Sequence, residues 1–103
     1  MNYLLEISCR GQVTGKVSLH SKNIIGRGSK VDIEIKEDGI SRSHLLIEIV
    51  KREDVFITDL GSSNGTFIAE QRIEPNKRQE FTTFFMPIWL GQNVSLLIIQ
   101  EAY

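Results

Sequence analysis

The sequence predicts an all-β domain, an antiparallel sandwich or barrel. Three observations lead there. Apolar residues recur at every second position within short segments, the spacing of a half-buried strand. Clusters of Gly, Asn, Asp and Ser, the residues suited to tight turns, separate those segments. Helical periodicity is weak along the whole chain. With 103 residues, the chain reads as one domain, residues 1–103, able to bury a core without metal or disulfide support.

The elements follow in order. Residues 3–8 alternate, with Leu5 and Ile7 on one face, and Gly11 and Gln12 make a turn. Residues 13–19 set Val13, Gly15, Val17 and Leu19 on one face. Ile24 and Ile25 form a short apolar piece that stops at Gly26. Residues 32–35 alternate through Ile33 and Ile35, and residues 45–50 carry Leu45, Ile47 and Ile49 on one side. Lys51-Arg52-Glu53-Asp54 reads as a charged hairpin tip before residues 55–59, where Val55 and Ile57 align. Residues 66–68 and 71–73 form a short hairpin. Glu74-Pro75-Asn76-Lys77 is a turn in which proline presets φ. Residues 80–86 and 94–100 are the closing strands. The run Ser95-Leu96-Leu97-Ile98-Ile99 is too short for a membrane helix and suits a strand buried on both faces. Trp89 and the cluster Phe81, Phe84 and Phe85 read as core.

Composition narrows the function. The formal net charge of -1 argues against a general nucleic-acid binder, which shows a basic excess. No apolar stretch approaches the length of a membrane span, so no membrane partner is expected. The single cysteine, Cys9, cannot form an internal disulfide, and with His20 and His44 far apart no metal-ligand spacing exists. The segment after Met1 alternates and is charged, unlike a signal peptide. A cytoplasmic setting without cofactor or metal fits these features. The sequons Asn64-Gly65-Thr66 and Asn93-Val94-Ser95 then read as coincidental. Because the chain stops directly after its last strand, a domain cut from a larger signalling protein is expected.

Three loops hold the unusual residues: Ile25-Gly26-Arg27-Gly28-Ser29, Ser41-Arg42-Ser43-His44, and Asp59-Leu60-Gly61-Ser62-Ser63-Asn64-Gly65-Thr66-Phe67. In a sandwich, loops distant in sequence gather at one end, and binding groups sit on such loops. Together they offer the parts of a phosphate site. Arg27 and Arg42 bring charge and forked N–H donors, and Ser41 brings a hydroxyl. Asn64 can donate to one backbone C=O and accept from one N–H, which brackets a peptide main chain. Asn64-Gly65 is also the strongest short hairpin signal in the chain. Ser43, His44 and Asp59 invite a hydrolase reading. Adjacent Ser and His on a strand project in different directions, however, and no Gly-x-Ser-x-Gly elbow or P-loop is present, so no residue is assigned as catalytic.

Taken together and in order, the three loops resemble the forkhead-associated (FHA) domain, a family of phosphothreonine-binding β-sandwiches. The matching pieces are Ile25-Gly26-Arg27, Ser41-Arg42-Ser43-His44 and the run from Asp59 through Phe67. The resemblance implies an eleven-stranded sandwich with the ligand held by loops at one end. It implies that Arg27 bonds the phosphate, that Ser41 donates to a phosphate oxygen, and that Arg42 makes a second phosphate or peptide contact. By the same resemblance Ser63 lies near the phosphothreonine and Asn64 holds the peptide main chain. Gly26, His44 and Gly65 shape the loops, with His44 bracing them through hydrogen bonds. The partner is then a phosphothreonine-containing peptide or protein, in trans or within the parent chain. Specificity falls three residues after the phosphothreonine, where Gly39-Ile40 and Leu90-Gly91-Gln92-Asn93 are the candidate contacts; neither carries a charge, which points to an apolar or small preference. The chain departs from the family in its last third, where Asn76-Lys77-Arg78-Gln79-Glu80 replaces the usual Gly-Asp turn. The alternative reading is a phosphate-independent interaction scaffold on the same fold.

Overall fold

The computed structural model describes residues 2–51 and 53–101, and Arg52 of the expected hairpin tip lies outside them. Eleven strands run in chain order: β1 Asn2–Cys9, β2 Gln12–Ser18, β3 Lys22–Gly26, β4 Ile33–Glu34, β5 Leu45–Val50, β6 Asp54–Asp59, β7 Thr66–Ile68, β8 Gln71–Arg72, β9 Gln79–Glu80, β10 Ile88–Leu90 and β11 Val94–Glu101. They form two sheets, a six-stranded one ordered β2-β1-β11-β10-β7-β8 and a five-stranded one ordered β4-β3-β5-β6-β9. Every pairing is antiparallel except β3 with β4, which is parallel. The all-β sandwich is therefore the fold. No helix of the described residues is long and apolar enough to cross a membrane.

The core is the meeting of two alternating faces. Leu5 and Ile7 of β1, Leu96 and Ile98 of β11, and Ile88 and Leu90 of β10 point in from the larger sheet. Ile25, Leu45, Ile47, Val55 and Ile57 answer from the smaller one. Each such side chain contributes about 1.5–3 kcal/mol on burial. This continuous core holds the strand ends in fixed positions, and with them the loops.

Four local expectations change. First, Val13 does not share a face with Gly15 and Val17. Ile7 pairs with Gly15 but Ser8 pairs with Val13, so Thr14 is an extra residue in β2. This bulge turns Val13 outward, where it is 58% exposed, while Thr14 Oγ1 donates to the Ile7 carbonyl at 3.3 Å. Second, β11 is buried on one face only, because Leu97 and Ile99 lie half-buried on the outer face. Third, of residues 80–86 only Glu80, the end of β9, is in a strand. Phe81 and Phe84 turn inward three residues apart and meet edge to face at 5.5 Å, with Tyr3 6.0 Å beyond. That spacing suits a turn, which closes where Met86 N–H donates to the Thr83 carbonyl at 2.9 Å. The turn pushes Phe85 into solvent at 83% exposure, and Trp89 lies on the outer face at 37%. Fourth, Asn64-Gly65 is not a hairpin turn: β6 and β7 belong to different sheets, so these residues sit in a loop that crosses the sandwich. The two-residue hairpin turn is Ala69-Glu70 between β7 and β8, with φ of 51 and 66, the type I′ signs without its usual Asn or Gly.

Candidate functional site

The site begins with a close approach of two loops. Arg27 N–H donates to the Ser41 carbonyl at 2.9 Å and Gly28 N–H to the Arg42 carbonyl at 3.1 Å. Gly26 makes this possible. A Cβ there would lie 2.1 Å from the Arg42 carbonyl oxygen and 2.6 Å from its carbon, both backbone atoms that cannot swing away. Arg27 leaves this crossing with its Nε donating to the Ile40 carbonyl at 3.0 Å, which fixes the guanidinium and leaves its outer nitrogens without partners among the described residues. Arg42 is exposed, and among the described residues neither arginine has a carboxylate within ion-pairing distance.

The third loop is tied to the second by side chains. Ser63 N–H donates to Ser41 Oγ at 3.1 Å. Asn64 Nδ2 donates to the Gly39 carbonyl at 2.9 Å. Gly91 N–H donates to the Gly65 carbonyl at 2.9 Å, which adds the β10–β11 loop to the same end. Arg27, Ser41, Arg42, Ser63 and Asn64 are thus gathered at one end of the sandwich with polar groups in or near solvent, whereas Gly26, His44 and Gly65 are buried beneath them.

His44 is the post between these loops. It is 0% exposed immediately before β5. Its Nδ1 accepts Ser41 N–H at 3.2 Å, so the ring proton resides on Nε2 and is donated to the Gly65 carbonyl at 2.9 Å. Burial pushes the imidazole below its ordinary value, although the Gly65 carbonyl and the Asp59 carboxylate act to raise it. His44 is therefore neutral at pH 7, and its 4.0 Å approach to Asp59 Oδ1 is not an ion pair. With both ring nitrogens engaged inside the fold and Ser43 exposed, Ser43, His44 and Asp59 are not arranged as nucleophile, base and orienting acid.

Sequence reasoning missed the role of Asp59. Its buried carboxylate accepts from Ser62 Oγ and Thr66 Oγ1, both at 2.6 Å, and from the Ser62 and Gly61 N–H groups at 3.0 and 3.1 Å. Ser62 Oγ in turn accepts Gly65 N–H at 3.0 Å. Burial works to raise the Asp59 pKa, but the hydrogen bonds from Ser62 and Thr66, with His44 nearby, outweigh it and hold the carboxyl below its usual range. A charged, fully satisfied carboxylate at the root of the loop sets the path that presents Ser63 and Asn64. The spacing Asp59–Ser62–Thr66, an acid followed by two hydroxyls within one loop, was the available signal.

Beside Asn64 lies a cleft of about 300 Å³. Gly39 and Leu90, Gln92 and Asn93 form walls of it, and so does Asp38. Gly39 and residues 90–93 carry no charge themselves, and exposed Asp38, next to the turn glycine Gly39, adds a charged residue to this wall.

An FHA-domain family model matches residues 23–83, the span that carries all three loops. The chain belongs to the FHA family. It is 33% identical over 73 residues to the protein phosphatase 1 regulatory inhibitor subunit PPP1R8 homolog of Arabidopsis thaliana, covering 69% of this chain and 20% of the relative. It is 43% identical over 54 residues to the FHA domain-containing protein PS1 of the same plant, covering 52% of this chain and 4% of the relative. The chain thus spans a small part of these curated relatives. The FHA domain of the CT664 protein of Chlamydia trachomatis superposes with a TM-score of 0.85 at 27% identity, over 99% of this chain and 100% of that one. A domain solved in work on phosphothreonine-dependent FHA domain interactions superposes with a TM-score of 0.80 at 23% identity, over all of both chains. FHA domains are binding modules.

Proposed function

We propose that this FHA domain binds phosphothreonine-containing peptides, with phosphate held by Arg27, Ser41 and Arg42 and the peptide main chain held by Ser63 and Asn64. The observation that carries this reading is the pairing of two carboxylate-free guanidinium groups with a hydroxyl whose proton is unclaimed. Ser41 Oγ already accepts from Ser63 N–H, so its own proton is available to an incoming anion. A phosphate adds a charge of about -1.5 to -2 and three acceptor oxygens to that cluster, and charge-assisted hydrogen bonds are roughly twice as strong as neutral ones. Asn64, released from the Gly39 carbonyl or shared with it, brackets the peptide backbone. The cleft beside Asn64 receives a flanking peptide side chain, and Asp38 favours a basic one there. Binding is the domain's whole activity in this reading.

The domain acts as one module of a larger signalling protein, a reading supported by relatives in which the matched segment is a minor part of the chain. The test is a titration with degenerate peptide libraries carrying phosphothreonine, phosphoserine or unmodified threonine at the fixed position. Binding confined to the phosphothreonine library is the expected result. Equal binding to all three, or to none, would replace the proposal with the phosphate-independent scaffold.

A further inference from the structure

The outer face of the six-stranded sheet carries an apolar groove that the phosphate site does not use. Phe67 of β7 and Trp89 of β10 are directly opposed across their strands and both point outward. Together with Ala69, Met86 and Pro87 they line a groove of about 570 Å³. The turn at residues 83–86 leaves Phe85 in solvent one residue before Met86, because Phe84 is held inward by Phe81 and Tyr3. Exposed aromatic and methionine side chains concentrated at one place mark an interaction surface more reliably than scattered ones.

The groove adjoins the cleft beside Asn64. Phe67 and Gln92 are walls of both, and Gly91, which lies between, is hydrogen-bonded to Gly65 behind Asn64. A chain lying across Asn64 and filling the cleft passes directly onto this aromatic surface. We infer that the groove formed by Phe67, Ala69, Met86, Pro87 and Trp89, together with the exposed Phe85 that precedes Met86, holds an apolar segment flanking the phosphothreonine in the same bound chain. This rests on the phosphopeptide reading and adds a second, phosphate-independent contact to it. Phosphate then supplies the switch while the apolar segment selects among phosphorylated chains, since burial of apolar side chains is non-directional but sensitive to their presence and size.

Trp89 is the chain's one tryptophan, so its fluorescence reports the groove directly. The test compares a short phosphothreonine library, degenerate only at positions next to the phosphothreonine, with lengthened libraries that add a leucine- and phenylalanine-rich segment at one end or the other. Unphosphorylated counterparts and the Phe85→Ser and Met86→Ser variants complete it. One of the lengthened libraries is expected to bind at least about tenfold tighter than the short one, as burial of one large apolar side chain implies. It should also shift Trp89 emission to shorter wavelength, which the short library does not. Either variant should reduce that gain and leave short-library affinity as it was. Absence of a gain from either lengthened library, or a gain untouched by both variants, would overturn the inference while short-library binding keeps the phosphate reading intact. Lengthened libraries that bind equally with and without phosphate, while the short library fails to bind, would instead sink the phosphate reading and the linked role given to the groove. Sedimentation that shows self-association abolished by Phe85→Ser would also overturn it, by making a second copy the occupant.

Discussion

Ser41 Oγ accepts the Ser63 N–H at 3.1 Å, so one hydroxyl joins two loops that lie 22 residues apart in sequence. The bond uses one acceptor site of the hydroxyl and leaves its proton free to be donated. The proposed site is thus held together by the fold's own hydrogen bonds, and each of its parts can be tested separately.

Arg27→Ala is expected to abolish measurable phosphopeptide binding, a loss of about 2–5 kcal/mol, because it removes a charged partner of phosphate. The folded domain loses only the Nε bond to Ile40, worth about 0.5–1.5 kcal/mol, so its melting temperature should fall modestly. Calorimetric titration alongside thermal melting checks both halves. Affinity retained in a folded variant would remove Arg27 from the site.

Asn64→Ala should weaken binding by about 1–3 kcal/mol, since peptide backbone groups are left unpaired. It also frees the Gly39 carbonyl, so loop order should change with it. Isothermal titration of the variant, with amide exchange at residues 38–41, would register both effects. Unchanged affinity would make Asn64 a loop tie alone.

Gly26→Ala should damage fold and site together. The new methyl would need the Arg42 backbone to retreat, and overpacking of this kind costs about 1–3 kcal/mol or more. Retreat also breaks the Arg27 and Gly28 bonds to residues 41 and 42. A lowered melting temperature with lost phosphopeptide binding is expected; a wild-type melt would show that the crossing is looser than the structure makes it.

Stability should decline as pH falls below about 6.5. His44 has its folded pKa below its unfolded value, so between the two the unfolded chain binds the extra proton. The contribution of the neutral ring is therefore complete above the unfolded pKa and is lost as pH drops through the folded one. Asp59, whose folded pKa is also depressed, adds a second loss below its own unfolded value near 3.8. Denaturant melts across this range should show both limbs in the wild type. His44→Gln should lack the upper one and be less stable at pH 7, because the buried Gly65 carbonyl or the Ser41 N–H loses a well-placed partner.

Asp38→Ala should erase a preference for lysine or arginine at the peptide position that enters the cleft. The carboxylate is exposed, so the effect is about 0.2–1 kcal/mol and shrinks with salt. Library profiles of wild type and variant at two salt concentrations decide it. Identical profiles would leave cleft specificity to shape.

Much of the architecture was legible because alternation is a local signal. Leu5, Ile7, Leu45, Ile47, Val55 and Ile57 were identified as face-sharing residues and are all core. The loops were legible for a different reason: Gly26, His44 and Asn64 each sit in a short run whose order is distinctive. What escaped was set by tertiary context. The bulge at Thr14 has no mark in the alternation and reversed the facing of Val13. Phe81 to Phe85 carry apolar residues at spacings that fit either a strand or a turn, and ring packing with Tyr3 chose the turn. Asn64-Gly65 has the composition of a hairpin, and only the assignment of β6 and β7 to separate sheets makes it a crossing loop. Asp38 reached the cleft through the fold of a neighbouring loop, a relation that no spacing encodes.

The bulge in β2 has one more consequence. Both sheets end in strands with an unpaired backbone edge, the common route by which β-proteins stick to copies of themselves. Three of the four edge strands, β4, β8 and β9, have two residues each and present almost nothing to add onto. Among the edge strands of the described residues, only β2, with seven residues, is long enough to template another chain. That is the strand interrupted at Thr14, with Lys16 two positions further along. The irregularity that cost Val13 its place inside thereby interrupts the longest exposed edge among the described residues.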